Sequence, residues 1–185
     1  MNVNATLSEA EAREYFEKYP RPLEFVSWND VHEMSLKLAK RLQIIGNFSA
    51  VVGVSKGGWM PAMIVARELG IRHVGSVCAS SYSISGEQCE LTMVDPISQA
   101  ILELGVSGGD PVLVVDDLVD TGNTAIFIKK LLPRCHYAVL HAKPQGRKFA
   151  DTYIQETPQE VWILYPWDNK MVFVPRKPLV ETGRK

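Results

Sequence analysis

Three aspartates, Asp116, Asp117 and Asp120, fall within five residues at the end of an apolar run, in VLVVDDLVDTGNTA (residues 112–125). Like charges repel and carboxylates are expensive to desolvate, so acids at the end of a buried strand need compensation. Adjacent strand residues point to opposite faces, so Asp116 and Asp117 cannot chelate one atom as a simple pair. They can grip neighbouring hydroxyls of a sugar, or one can bind a metal while the other accepts a hydrogen bond. Thr121, Gly122, Asn123 and Thr124 then open a helix. Free backbone N–H groups, the positive end of the helix dipole and two hydroxyls suit that turn to a phosphate. Acids for a diol beside donors for a phosphate describe a ribose 5-phosphate. A solvated acidic turn before an N-cap is the plainer alternative. It accounts for Asp120 or Thr121 alone better than for the whole constellation.

A second candidate loop is GVSKGG (residues 53–58). It has neither the G-x-G-x-x-G of a dinucleotide fold nor the G-x-x-x-x-G-K-[ST] of a P-loop. Gly57 and Gly58 still let backbone approach a ligand closely, and Lys56 supplies positive charge. A plain strand-to-helix turn would carry the same residues.

The elements that must position these groups follow from periodicity. Residues 27–45, SWNDVHEMSLKLAKRLQII, predict a helix capped by Ser27 with Asp30 in its first turn. Its apolar stripe is Val31, Met34, Leu38, Leu42 and Ile45. AVVGVS predicts a buried strand, MPAMIVAREL a helix with Pro61 in its first turn, and HVGSVCASSY a strand. SISGEQ predicts a turn with CELTMV as returning hairpin partner, and PISQAILELG is weakly helical. VLVVDD and HYAVLHA predict two more strands, with the helix TAIFIKKLL between them. A capping box at Ser8 predicts a further short helix ending near Tyr19. Strands alternating with helices imply a mostly parallel sheet covered on both faces. From Asp151 onward the rhythm breaks, and the Trp- and Pro-rich remainder predicts a small cap over one edge.

The totals narrow the function classes. The 185 residues suit one domain, and 46% apolar with 22% charged residues are ordinary for a soluble globule. A formal net charge of −1 gives no general affinity for nucleic acid, so any anion site must be local. Three cysteines without a C-x-x-C pair argue against a disulfide framework or zinc site and suggest a reducing compartment. No signal or transit peptide and no run of about 18 apolar residues is visible, so a cytoplasmic location is expected.

VLVVDDLVDTGNT resembles the phosphoribosyl diphosphate-binding signature of type I phosphoribosyltransferases. VSKGGWMPAMIVARELGIRHV, VCASSY, HAKPQGR, PQEVWILYPWD and VFVP are similar, in the same order, to segments of the bacterial xanthine-guanine phosphoribosyltransferases. The likeness covers residues 24–175, leaving 1–23 as a helical extension and 176–185 as a tail. It implies an α/β fold, a twisted mostly parallel sheet flanked by helices, with a small C-terminal hood and a mobile β-hairpin. It also implies purine salvage with Mg²⁺: an oxopurine and phosphoribosyl diphosphate give a nucleoside monophosphate and diphosphate. A homo-oligomer, dimer or tetramer, would be the usual assembly.

By the same resemblance, Asp116 and Asp117 would hold the ribose hydroxyls, with Asp117 also on the metal side. Asp120 would take the proton from N7 as N9 attacks. Asp120, Thr121, Gly122, Asn123 and Thr124 would wrap the 5-phosphate, and Lys56 with Gly57 would contact the diphosphate. Lys143 would donate to the purine 6-oxygen and Trp162 would stack on the base. Backbone at Trp162 and Ile163 would read its 2-position.

The chain departs from its relatives at four positions. Lys56 stands for an arginine, exchanging a forked donor for a point charge. Cys89 replaces an arginine of the hairpin, with Arg147 a candidate to supply the missing charge. Leu164 stands where an acid is usual, and Asn123 replaces a glycine. These changes make a non-catalytic sensor of phosphoribosyl diphosphate or nucleotides the first rival reading. Asp120, Lys143 and Trp162 speak against it, because a sensor of the sugar alone needs no purine pocket. A receiver domain is the second rival, but its acid pair belongs to the first strand of the domain.

Overall fold

The computed structural model describes residues 22–82, 88–107 and 109–168, with backbone alone for 79–82 and 88–95. The helix expected after Ser8, residues 83–87 of the SISGEQ turn, the side chain of Cys89, the VFVP strand, and residues 1–21 and 169–185 lie outside the described residues. The elements are β1 (Leu23–Phe25), α1 (Trp28–Ile45), β2 (Ala50–Ser55), α2 (Trp59–Leu69), β3 (Val74–Tyr82), β4 (Gln88–Asp95), α3 (Gln99–Val106), β5 (Val112–Val119), α4 (Asn123–Leu131), β6 (His136–Ala142), β7 (Thr152–Glu156) and β8 (Trp162–Leu164).

Helix α1 starts where its sequence says. The Ser27 hydroxyl accepts from the Asp30 N–H at 3.1 Å, and the Asp30 carboxylate accepts from the Ser27 N–H at 2.8 Å. This reciprocal box satisfies donors that a helix start leaves open. Val31, Met34, Leu38 and Leu42 are buried as the stripe requires, but Ile45, the last of the stripe, is 52% exposed. It is the last residue of the helix, before the Gly46 cap.

Six strands form one sheet in the order β4-β3-β2-β5-β6-β7, parallel throughout except for the β3–β4 hairpin. Along β5, Leu113 and Val115 join the core under α1 and α2. Val112 and Val114 join the core under α3 and α4. Both faces are thus covered, which is why the strand reads as continuous Val and Leu. The expected cap beginning at Asp151 requires correction, because Thr152–Glu156 extends the main sheet as its parallel edge strand. Only Thr152 of that strand is buried, so its sequence lacks the apolar run that marks β2, β5 and β6. The cap that does form is a two-stranded parallel sheet of β1 and β8, pinned through Ile163 and Val26 to the α1 side of the core.

The order in which strands are added reverses between β2 and β5: β2 passes outward to β3 on one side, and β5 passes to β6 on the other. Such a switch point leaves a crevice beyond the carboxyl ends of the two strands.

Candidate active site

A cavity of about 270 Å³ opens at that switch point. Residues 54–57 from the end of β2 into the following loop, residues 116–125 from β5 into α4, and Tyr137 line it. The first acidic pair and both candidate loops therefore meet in one place.

The two adjacent carboxylates have different surroundings. Asp116 is 7% exposed, and its Oδ2 accepts from the Tyr137 hydroxyl at 2.8 Å. Its Oδ1 accepts from the Asp117 N–H at 3.0 Å. Burial, and then the charge of Asp117, push Asp116 well above the ordinary carboxylate range. Burial also pushes Asp117 up to about 6, with the Asp168 charge adding to it. No salt bridge reaches either group among the described residues. The pair therefore faces the cavity without a cationic partner among the described residues.

That environment has a sign that can be measured. A carboxyl raised on folding binds its proton more tightly in the folded chain, so it adds stability below its folded pKa and loses it above. For Asp117 the loss runs between the ordinary 3.8 and about 6. From pH 5 to pH 7 without divalent ions, Asp117 should remove about 1 kcal/mol of stability. His141, whose pKa burial lowers, acts in the opposite direction. The check is therefore the difference in melting midpoint between the parent and Asp117→Asn across this range, with the parent losing more on the alkaline side.

The donor set fits a hard divalent cation only with help. Among the described residues, no three His, Cys, Asp or Glu groups converge to hold a metal by themselves. One or two carboxylates completed by substrate oxygens is the habit of Mg²⁺. Asp117 also lies hard against the β2–α2 loop. A Cβ at Gly57 would come 1.7 Å from its Oδ2, and one at Gly58 would come 2.4 Å from the Val115 carbonyl oxygen. These two glycines bring that loop's backbone against the acids.

The turn into α4 has the form of an anion site. Gly122 takes the left-handed conformation with φ 91°, and no side chain caps the helix. A Cβ there would collide with Phe149 at 2.1 Å. The left-handed residue is Gly122, and Asn123 is the first residue of the helix proper, with no non-glycine at positive φ among the described residues. The N–H groups of the first turn thus remain open to a ligand.

Asp120 marks the other border of the crevice. Its Oδ2 accepts from Lys143 Nζ at 3.1 Å, and Lys143 is 4% exposed. Its Oδ1 accepts from the Gln159 amide, whose own oxygen accepts from the Gln145 N–H at 3.1 Å. A Cβ at Gly146 would come 2.6 Å from the Asp120 carbonyl oxygen, so the segment after β6 packs directly against this acid. Trp162 and Ile163 follow Gln159 on β8 and line the small sheet rather than the cavity at Asp116. Ile163 is 5% exposed and belongs to the core. Arg147 pairs with Glu156 and does not line the cavity.

Tyr137, Gln159 and Asp168 were not foreseen. Tyr137 is a polar-tipped residue within an apolar strand, and Gln159 lies in PQEVW beside the anticipated Trp162. Those were the only signals, because each acts on a partner distant in sequence.

Comparison with known proteins gives a consistent picture. The family model for the phosphoribosyl transferase domain matches residues 29–173. The purine phosphoribosyltransferase of Pyrococcus horikoshii is 27% identical, with a TM-score of 0.65, over 82% of this chain and 98% of that one. A hypothetical protein of Neisseria gonorrhoeae with bound ppGpp is 25% identical, with a TM-score of 0.63, over 82% and 92%. The Helicobacter pylori xanthine-guanine-hypoxanthine phosphoribosyltransferase shares the fold at 24% identity, with a TM-score of 0.61, over 80% and 93%. The matched span takes in the switch-point cavity, the anion turn and the Asp120–Lys143 pair alike, and the chain belongs to the phosphoribosyltransferase family with its type I fold.

Proposed function

We propose that this protein is a purine phosphoribosyltransferase that joins an oxopurine to the ribosyl group of phosphoribosyl diphosphate. The observation that carries the reading is the donor and acceptor, Lys143 Nζ and Asp120 Oδ2, held 3.1 Å apart at the border of the ribose-type cavity. An oxopurine presents adjacent O6 and N7 on one edge. Lys143 donates to O6, and Asp120 takes the proton from N7 as N9 attacks the anomeric carbon. Adenine carries an amino donor where the oxopurines carry O6, so it meets Lys143 donor to donor.

Around the sugar, Asp116 and Asp117 hold the hydroxyls, and their negative charge favours the oxocarbenium character of the transition state. Asp117 is also the residue that would hold Mg²⁺. Bound Mg²⁺ supplies neutralisation for the departing diphosphate. Residues 120–124 wrap the 5-phosphate, and Lys56 with the Gly57 backbone meets the diphosphate. Trp162 stacks on the base, and backbone at Trp162 and Ile163 reads its 2-position. The Pyrococcus horikoshii relative is named for purine transfer, and the Neisseria gonorrhoeae relative holds ppGpp. Both support a nucleotide-sized purine ligand.

The test is nucleotide formation from guanine, xanthine, hypoxanthine and adenine offered separately with phosphoribosyl diphosphate and Mg²⁺. Conversion of at least one oxopurine, with adenine slower by about two orders of magnitude, is the expected outcome for a mismatched donor pair. Equal conversion of adenine would remove the assigned role of Lys143. No conversion of any base would remove the transferase reading.

A further inference from the structure

His141 and Tyr165 form a buried polar contact to which the chemistry above assigns no part. The two residues are 1% and 4% exposed. His141 Nδ1 lies 2.7 Å from the Tyr165 hydroxyl oxygen, which in turn lies 2.9 Å from the backbone carbonyl oxygen of Asp117. A tyrosine hydroxyl has one proton to give, and a carbonyl can only accept. The Tyr165 proton therefore goes to Asp117, and the Tyr165 oxygen accepts from His141. This order requires the imidazole to carry its hydrogen on Nδ1. The tyrosine is fixed sideways as well, stacked on Trp167 with centroids 4.8 Å apart at 8° and edge-on to His141 at 5.6 Å.

The carbonyl they hold sits where the sheet gives out. Pairing of β5 with β2 ends at Gly53–Val115, and its pairing with β6 passes from Asp116 to Leu118. From Asp116 onward, β5 has a strand partner on one side only. The Tyr165 hydroxyl takes over at Asp117, the residue whose carboxylate abuts Gly57 in the cavity. Because backbone and carboxylate belong to one residue, fixing the carbonyl fixes the Cα–Cβ direction from which the carboxylate reaches the cavity.

We propose that Tyr165, oriented by His141, is a positioning residue for Asp117, linking the β8 segment to the metal and diphosphate side of the crevice. The inference rests on the proposed function only in taking magnesium phosphoribosyl diphosphate as the ligand. Calorimetric titration of the intact chain with that ligand tests it without turnover, and steady-state kinetics accompany it. Tyr165→Phe keeps both ring contacts and loses the hydroxyl. It should weaken ligand binding and raise KM for phosphoribosyl diphosphate about tenfold, leaving KM for the base within about twofold. Its melting midpoint should fall by only about 2–4 °C. His141→Asn, which keeps an N–H near the Nδ1 position, should bind like the parent, and His141→Leu should bind like Tyr165→Phe. Binding by Tyr165→Phe within twofold of the parent would overturn the inference. A parent that binds the ligand but converts no base would remove the transferase reading and leave this inference standing. A parent that does not bind it would overturn both.

Discussion

Replacing Asp120 by asparagine should slow nucleotide formation roughly 10²–10⁴-fold, the usual contribution of a positioned proton acceptor. The substitution preserves shape and removes basicity. It also disturbs the local hydrogen bonding, since Lys143 and Gln159 both donate to this carboxylate. An asparagine can accept at only one of the two positions, so one donor loses its partner, at about 1 kcal/mol. Lys143 is nearly fully buried and is the costlier of the two to leave unmet. Activity could therefore fall because the site is distorted rather than because a base is lost. The double variant Asp120→Asn with Gln159→Glu separates these causes, because the asparagine oxygen keeps Lys143 and its amide donates to the new carboxylate. It relieves the unpaired donor and should recover the melting midpoint, yet turnover should stay low. A single variant that keeps more than a third of parental turnover would dismiss Asp120 as the proton acceptor.

Alanine at Gly57 and alanine at Gly58 should fail in different ways, although the residues are neighbours. At Gly57 the new methyl meets the Asp117 carboxylate, which can rotate away. Folding should survive, while binding of magnesium phosphoribosyl diphosphate should weaken roughly 10–100-fold, as for loss of one charge-assisted contact. At Gly58 the methyl meets backbone, with Val115 O at 2.4 Å and both Asp116 Cα and Val54 O at 2.8 Å. Nothing there can turn aside, so β2 and β5 must separate. Overpacking of this kind should cost about 3 kcal/mol or more. The melting midpoint should drop by roughly 6–12 °C for a chain of this length. Thermal melts and calorimetry on the two variants check the contrast. Equal loss of stability in both would mean that Asp117 is as immovable as the backbone.

How much of this could be read beforehand depended on distance along the chain. Helix α1 declared its start through Ser27 and Asp30, three residues apart, and β5 declared itself through consecutive valines and leucines. The acidic pair at the end of β5 and the uncapped turn into α4 were legible for the same reason, since each is a local pattern. Tyr137 reaches Asp116 across 21 residues, Gln159 reaches Asp120 across 39, and Tyr165 reaches Asp117 across 48. Such pairings are made by the tertiary fold, and no spacing in the sequence advertises them. Strand β7 was missed on other grounds. An edge strand needs to bury little, so Thr152–Glu156 shows neither an apolar run nor a clean alternation.

The shared direction of β2, β5, β6 and β7 has a practical corollary. Every described loop that carries a proposed site residue leaves the same end of the sheet, and among the described residues the opposite end carries none of them. The connection from α2 to β3 lies at that opposite end. Gly70, Arg72 and His73 are exposed there, and a Cβ at Gly70 would meet nothing within 4 Å. A tether, dye or inserted peptide placed in that turn faces away from the crevice. The molecule thus has a handle as well as a working mouth, and immobilising it by the handle leaves the mouth free to sample substrate.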